Sequence, residues 1–226
     1  MIRTVLLSIF LALILAAGSL AQHTHGGDYQ RHHVPTSAEE WIKTLEEPKR
    51  DEWQKPHEVV QSLALIPGST VADIGAGSGY FALRFAHMLG PQGKVLAVDI
   101  DQKLVDHVRE RAAELKLANV EAILAATDDP HLAAGTADVI FFCDVIHHIE
   151  GRPAYYKLLK RALRPGGRLV IIDFHKCALP VGPPPEMKIA REEMIRELEA
   201  AGFRVAREHG FLPYQYFLEF EQGAGS

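Results

Sequence analysis

The sequence predicts an α/β protein built on a doubly wound sheet, and three observations carry that expectation. Thr70-Val-Ala-Asp-Ile-Gly-Ala-Gly-Ser-Gly-Tyr80 passes from a short apolar strand through three glycines into a helix. Downstream, short apolar runs alternate with stretches of helical period over brief links, as parallel strands joined by helical crossovers require. The length, 226 residues with 47% hydrophobic content, suits one core and a short extension.

The chain opens on Met1-Ile-Arg-Thr, an apolar stretch from Val5 to Ala17 interrupted only by Ser8, and the small-residue pattern Gly18-Ser-Leu-Ala21. Residues 1–21 therefore read as a secretory signal peptide; the alternative is an uncleaved membrane anchor over residues 5–21. Either reading sends the domain outward, periplasmic or extracellular. No cysteine follows the apolar run, so a lipid anchor is not indicated. The formal charge of −5 becomes one unit more acidic on loss of Arg3, which makes nucleic acid an unsuitable partner. Residues 22–35 form a His/Gly-rich linker in which His23, His25, His32 and His33 could gather a soft metal ion. No cysteine or carboxylate cluster completes a site, and no metal is expected.

Residues 36–66 are expected to be helical. Ser37-Ala-Glu-Glu40 is a capping box, with Ala38, Trp41, Ile42 and Leu45 on one face of the helix it opens. Pro56 suits the first turn of another helix, carrying Val59, Val60 and Leu63. Val71, Ala72 and Ile74 form the first strand. Gly75, Gly77 and Gly79 then let the backbone turn sharply and approach a ligand, beneath the unpaired N–H groups of the following helix. Position 80, where a dinucleotide fingerprint places its third glycine, is Tyr80, which argues against NAD.

Lys94-Val-Leu-Ala-Val-Asp99 is the second strand and Asp101 to Leu117 the next helix, with Leu104, Val105, Val108, Ala112 and Leu115 inward. Val120 to Leu124 makes a third strand, closed by Thr127-Asp-Asp-Pro130. Ala137 to Cys143 is the fourth, Arg168 to Asp173 the fifth, and Met187 to Ala201 a helix stopped by Gly202. Phe203 to Glu208 and Tyr214 to Glu221 finish as a strand pair, Tyr216, Leu218 and Phe220 alternating with Gln215, Glu219 and Glu221. Cys143 and Cys177 fall near the ends of neighbouring strands, where a disulfide, free thiols or a thiol-lined pocket are all open.

An acid followed by G-x-G-x-G, as in Asp73 with Gly75, Gly77 and Gly79, resembles the first motif of the class I S-adenosylmethionine-dependent methyltransferases. Asp99 at the end of the second strand and Ala162-Leu-Arg-Pro-Gly-Gly-Arg-Leu-Val-Ile171 before the fifth are similar to later motifs of that family. The resemblance covers about residues 56 to 221 and implies a seven-stranded sheet of order 3-2-1-4-5-7-6 with the last strand antiparallel, placed at residues 67–222. It also implies S-adenosyl-L-methionine as cofactor. Gly75, Gly77 and Gly79 would hold its methionine end, the carboxylate near the helix N-terminus; Asp73 would take its ammonium, Asp99 the ribose hydroxyls and Asp128 the adenine edge. Asp144, His147 and His148, after the fourth strand, are the candidates for the methyl-transfer side, with a histidine as proton acceptor. Each also has a structural reading, a hydrogen bond to loop backbone, and Asp128 one as a turn acid.

Tyr156-x-x-x-Lys160 resembles the short-chain dehydrogenase pair, but its distance from the glycine turn and the glycine pattern do not fit that family. Phe174 to Glu186 is short and stiffened by Pro180, Pro183, Pro184 and Pro185, with no inserted substrate domain, so a small-molecule acceptor is expected. The competing reading is an exported, non-catalytic ligand- or metal-binding protein on the same fold. Export is testable: a reporter active only outside the cytoplasm, fused after residue 40, is expected to be active, with a mature product starting at Gln22. A silent reporter and a product that retains Met1 would refute it.

Overall fold

The structure, a computed structural model, describes residues 37–223. The expected leader and His/Gly-rich linker lie outside these residues. Ser37 caps α1 (Ala38–Leu45), its hydroxyl accepting the Glu40 N–H at 3.2 Å. Helices α2 (Arg50–Gln54) and α3 (Pro56–Ser62) follow, separated by Lys55 in the left-handed region, and Pro56 sits in the first turn of α3, where its missing N–H costs nothing.

The strands β1 (Thr70–Ile74), β2 (Lys94–Asp99), β3 (Val120–Leu124), β4 (Ala137–Cys143), β5 (Leu163–Phe174), β6 (Phe203–His209) and β7 (Gln215–Gln222) form one sheet of order β3-β2-β1-β4-β5-β7-β6. The first five pair in parallel, and β7 runs antiparallel to both β5 and β6. Crossovers run through α4 (Ala82–Leu89), α5 (Gln102–Glu114), α6 (Arg152–Ala162) and α7 (Arg191–Ala200). Val71, Val95, Val139, Phe141 and Val170 pack on one face with α3, α4 and α5; Ala72, Leu96, Ile140, Phe142, Leu169 and Ile171 pack on the other with α6 and α7. Burial of both faces explains why these strands read as continuous apolar runs. No described helix is long and apolar enough to cross a membrane.

Several expectations need correction. The last strand lies between β5 and β6 and is buried along most of its length, Gln215 and Glu219 included at 2% and 5% exposed. Glu219 tolerates this by bonding His209 Nε2 at 2.7 Å and pairing with Arg168 Nε at 2.9 Å. Strand β5 begins at Leu163, because the Arg-Pro-Gly-Gly turn remains extended along β4. Helix α7 starts at Arg191, after a 3-10 turn over Pro185–Met187 that the prolines favour. Leu115 is half exposed at the end of α5.

The glycine turn is fixed from two sides. The Gly75 and Ala76 N–H groups both donate to the Val98 carbonyl, at 2.8 and 3.0 Å, which ties the turn to the end of β2. Gly75 has φ +69°, and an added Cβ would lie 2.5 Å from Val145 Cγ2. Gly75→Ala should therefore lower stability by about 1–3 kcal/mol through left-handed strain and the clash. A urea midpoint unchanged from wild type would contradict this origin of the turn.

Candidate active site

The strand ends on either side of β1 bring the expected acids together. Asp73, at the end of β1, is 3% exposed, and its Oδ2 has no hydrogen-bond partner. Burial, reinforced by the neighbouring charge of Asp99, pushes its carboxyl up to about 8, against the opposing pull of the Ala82 N–H and Arg50. Asp99, 8% exposed, spans the turn: Oδ2 accepts the Gly77 N–H at 2.8 Å and Oδ1 the Asp101 N–H at 3.0 Å. Burial raises its pKa as well, with those backbone N–H groups opposing. A carboxylate offers about four lone-pair positions, so Asp99 keeps room for hydroxyl donors.

A cavity of about 100 Å³ opens beside this turn, lined among others by Gly75, Asp99, Thr127, Val145, His148 and Tyr155. Since a water occupies about 30 Å³ of liquid, the space holds a few waters and not a nucleoside. Two side chains take up the rest. Val145 lies against Gly75, and Leu45 of α1 sits so close to Gly77 that an added Cβ would be 2.6 Å from its Cδ1. A larger groove of about 960 Å³ runs between α3, α4 and α5, but neither Asp73 nor Asp99 lines it.

Of the remaining expected contacts, Asp128 is exposed in the loop after β3 and does not line the cavity, whereas its neighbour Thr127 does. His148 lines the small cavity beside the glycine turn. Its pKa is lowered by burial and by His147, whose ring lies 4.2 Å away. Asp144, with φ +60°, ends β4 and accepts from Gln215 Nε2 at 2.6 Å. Burial and the Asp173 charge bring its carboxyl up to about 6, while Arg50, at 4.0 Å, pulls the other way. Cys143 and Cys177 are free thiols, the former pushed well up by burial. No group of three or more potential metal ligands occurs among the described residues.

Five residues emerge that the sequence did not single out. Asp173, at the end of β5 and fully buried, accepts from His147 Nδ1 with both oxygens at 2.9 Å. Burial alone would depress the His147 pKa, but the bond and charge of Asp173, followed by Asp144, raise it overall. Arg50 and Gln54 project from α2; the amides of Gln54 and Gln215 bond at 2.9 Å, joining the N-terminal helices to the last strand. Lys188 is 2% exposed and donates to the Cys177 carbonyl at 2.8 Å, securing the proline-rich loop. Asp173 had a sequence signal, since it ends an apolar run as Asp73 and Asp99 do. Arg50, Gln54 and Gln215 had none, because Tyr80 and Asp144 beside Arg50, and the facing amides of Gln54 and Gln215, lie far apart in sequence, and no local pattern marks Lys188.

The donor set suits S-adenosylmethionine. An unpartnered carboxylate oxygen at Asp73 awaits a cation, and a second acid, Asp99, stands over glycines whose positive φ keeps the backbone free of side chains. With an unfolded pKa near 3.8 and a folded one of about 8, native Asp73 holds its proton more tightly. Its contribution to stability is thus greatest below pH 3.8 and is lost as pH rises towards 8. Asp73→Asn should remove this loss, so its stability relative to wild type is expected to increase between pH 4 and 8 in denaturant titrations. A constant difference across that range would refute the assignment.

The methyltransferase domain family matches residues 66–206. A SAM dependent methyltransferase from Aquifex aeolicus has a similar structure, with a TM-score of 0.77 and 32% identity over 82% of this chain and 98% of that one. Phosphoethanolamine N-methyltransferase 3 of Arabidopsis thaliana is 31% identical over 161 residues, 68% of this chain but 31% of its own length. Arsenite methyltransferase of Halobacterium salinarum is 32% identical over 115 residues, 51% of this chain and 29% of that protein. The match thus spans about a third of the length of these two curated relatives. With the sheet order, the acid at each strand end and a family match over most of the chain, the protein belongs to the class I S-adenosylmethionine-dependent methyltransferases.

Proposed function

We propose that the protein transfers a methyl group from S-adenosylmethionine to a small-molecule acceptor, and that His147, oriented by Asp173, takes the proton released by a nitrogen or oxygen acceptor. The observation that carries this reading is the buried His147–Asp173 pair at the ends of β4 and β5, in the loop whose Val145 lies against Gly75. When bound, the cofactor supplies a methyl group already activated on a sulfonium. The chain's own task is alignment, exclusion of water and removal of a proton.

Asp73 and Asp99 would hold the cofactor's cationic and hydroxyl groups. Asp173 fixes the Nδ1 side of His147, which leaves Nε2 as the nitrogen able to receive a proton. The His147 side chain is 2% exposed, so this transfer would occur away from bulk water, after an acceptor has displaced what covers it. Relatives are named for phosphoethanolamine, arsenite and quinone methylation. A protic acceptor fits the histidine better than arsenite does, because Cys143 is half-buried with its thiol pKa pushed well up and Cys177 is exposed.

The test is formation of S-adenosylhomocysteine with a panel of small amines, phenols and demethylated quinone precursors. His147→Ala should reduce kcat by about 100- to 10,000-fold. With the wild type, kcat/KM should fall on the acid side, with an apparent pKa above 6.5, the ordinary histidine value raised by Asp173. Asp173→Asn should move that limb to lower pH. An unshifted acid limb in Asp173→Asn would reject the pair as the proton acceptor.

A further inference from the structure

Asp144 is reached from the N-terminal helices by a continuous string of side-chain hydrogen bonds. Arg50 Nη2 of α2 donates to Gln54 Oε1 at 3.4 Å, Gln54 Nε2 to Gln215 Oε1 at 2.9 Å, and Gln215 Nε2 to Asp144 Oδ1 at 2.6 Å. Arg50, Gln54 and Gln215 are all buried. The two ends fix the direction of the string. A guanidinium only donates and a carboxylate only accepts, so both amides must turn their oxygens towards Arg50 and their NH2 groups towards Asp144. The far end is anchored too: Arg50 Nη1 donates to the Leu45 carbonyl at 3.2 Å, and the guanidinium carbon lies 4.0 Å from the centroid of the Tyr80 ring. A string polarised in this way favours negative charge at Asp144.

Asp144 stands next to the His147–Asp173 pair. It follows Cys143, which registers with Ile172, and its N–H donates to the Ile172 carbonyl at 2.9 Å, one residue before Asp173. His147 lies three residues further on, in the 3-10 turn Ile146–His148, and binds Asp173 at 2.9 Å. The groups that face His147 are Asp144 at the end of β4, Asp173 of β5, His148 of the same turn and Lys188 ahead of α7. Asp144 itself faces Arg50, Cys143, Asp173, His147 and Tyr216 of β7. Of the two acids beside His147, Asp144 is the one joined to α2.

We propose that Gln215 is a positioning residue for the methyl transfer: in line with Arg50 and Gln54, it holds Asp144 as a carboxylate beside the His147–Asp173 pair, so that the proton acceptor is at full strength only while α2 is seated against β7. The assignment rests on the reading of His147 as proton acceptor. Burial lifts the Asp144 carboxyl to about 6, and the Gln215 bond opposes that rise. An ionised Asp144 in turn raises the proton affinity of His147. Loss of the string therefore leaves Asp144 protonated to higher pH and makes His147 titrate at lower pH.

The test titrates His147 directly, by NMR of the full chain with isotope-labelled histidine, its signal identified by loss in His147→Gln; kcat/KM against pH is measured alongside with an amine or phenol that is turned over. Gln215→Met should lower the His147 midpoint by about half a pH unit or more. Gln54→Met, which cuts the string on α2 without touching Asp144, should shift it the same way. In an Asp144→Asn background neither substitution should move it further. The acid limb of kcat/KM should follow the His147 midpoint in each variant. If Gln215→Met does not fold, Gln54→Met, alone and with Asp144→Asn, carries the test. A midpoint unchanged in the folded variants, or one that still shifts in the Asp144→Asn background, would overturn the role of Gln215; an acid limb that tracks His147 would then leave the proton-acceptor reading standing. A midpoint that moves while the acid limb stays in place would overturn that reading, and the role of Gln215 in the reaction with it.

Discussion

Two carboxylates kept out of water at the ends of adjacent parallel strands set the terms for everything around them. Register pairs Ile74 with Val98, so Asp73 and Asp99 emerge close together, and the turn after β1 must pass between them. Asp99 meets this by accepting the Gly77 N–H, which a backbone in the ordinary right-handed region would not present there. Asp73 is left with an empty lone pair and a carboxyl that prefers to be neutral. A sheet that only had to fold would gain by replacing such a group with an apolar one. Its retention is intelligible when a cation completes the site.

The same logic governs the neighbouring strand ends. Asp173 is also buried and Asp144 half-buried, and each is answered from a different element: Asp144 by Gln215 of β7, Asp173 by His147 after β4. The carboxyl edge is thus a row of acids whose partners come from the N-terminal helices, the β4 loop and the last strand. Charge on any one of them is felt by the next, as the raised His147 and Asp144 values show. Acid–base behaviour at this edge therefore belongs to the row rather than to single residues.

Legibility in the sequence follows the range of the interactions. The strands, the glycine turn and the acids at 73 and 99 were readable because each is written within a few residues, an apolar run, a breaker, a carboxylate, whereas the sheet order came from the family resemblance that those motifs carry. Ser37 and Pro56 announce their helix starts for the same reason. Asp173 obeyed the rule but lacked a glycine turn to draw notice. Alternation along β7 does not report which residues are wet, because polar and apolar side chains alike are buried there, Gln215 and Glu219 included. Arg50 and Gln54 meet their partners across a loop-closure distance that no local pattern encodes, Gln54 bonding a residue 161 positions away.

The way α2 is fastened bears on how the cleft admits a ligand. It is held to the last strand by amide contacts of Gln54 and Gln215 at 2.9 and 3.4 Å, and by the tilted stacking of Trp53 on Phe174 at 5.8 Å and on Tyr214 at 6.4 Å. Neutral hydrogen bonds contribute about 0.5–1.5 kcal/mol each and an aromatic pair a similar amount beyond its burial. Strands β4 and β5, by contrast, bury Ile140, Phe142, Leu169 and Ile171 completely. Opening α2 therefore costs these ring contacts and a few polar exchanges, whereas opening the sheet would forfeit the core. Leu45, seated on Gly77 at the end of the neighbouring helix, belongs to the same N-terminal segment, so the side chain nearest the glycine turn depends on these fastenings too.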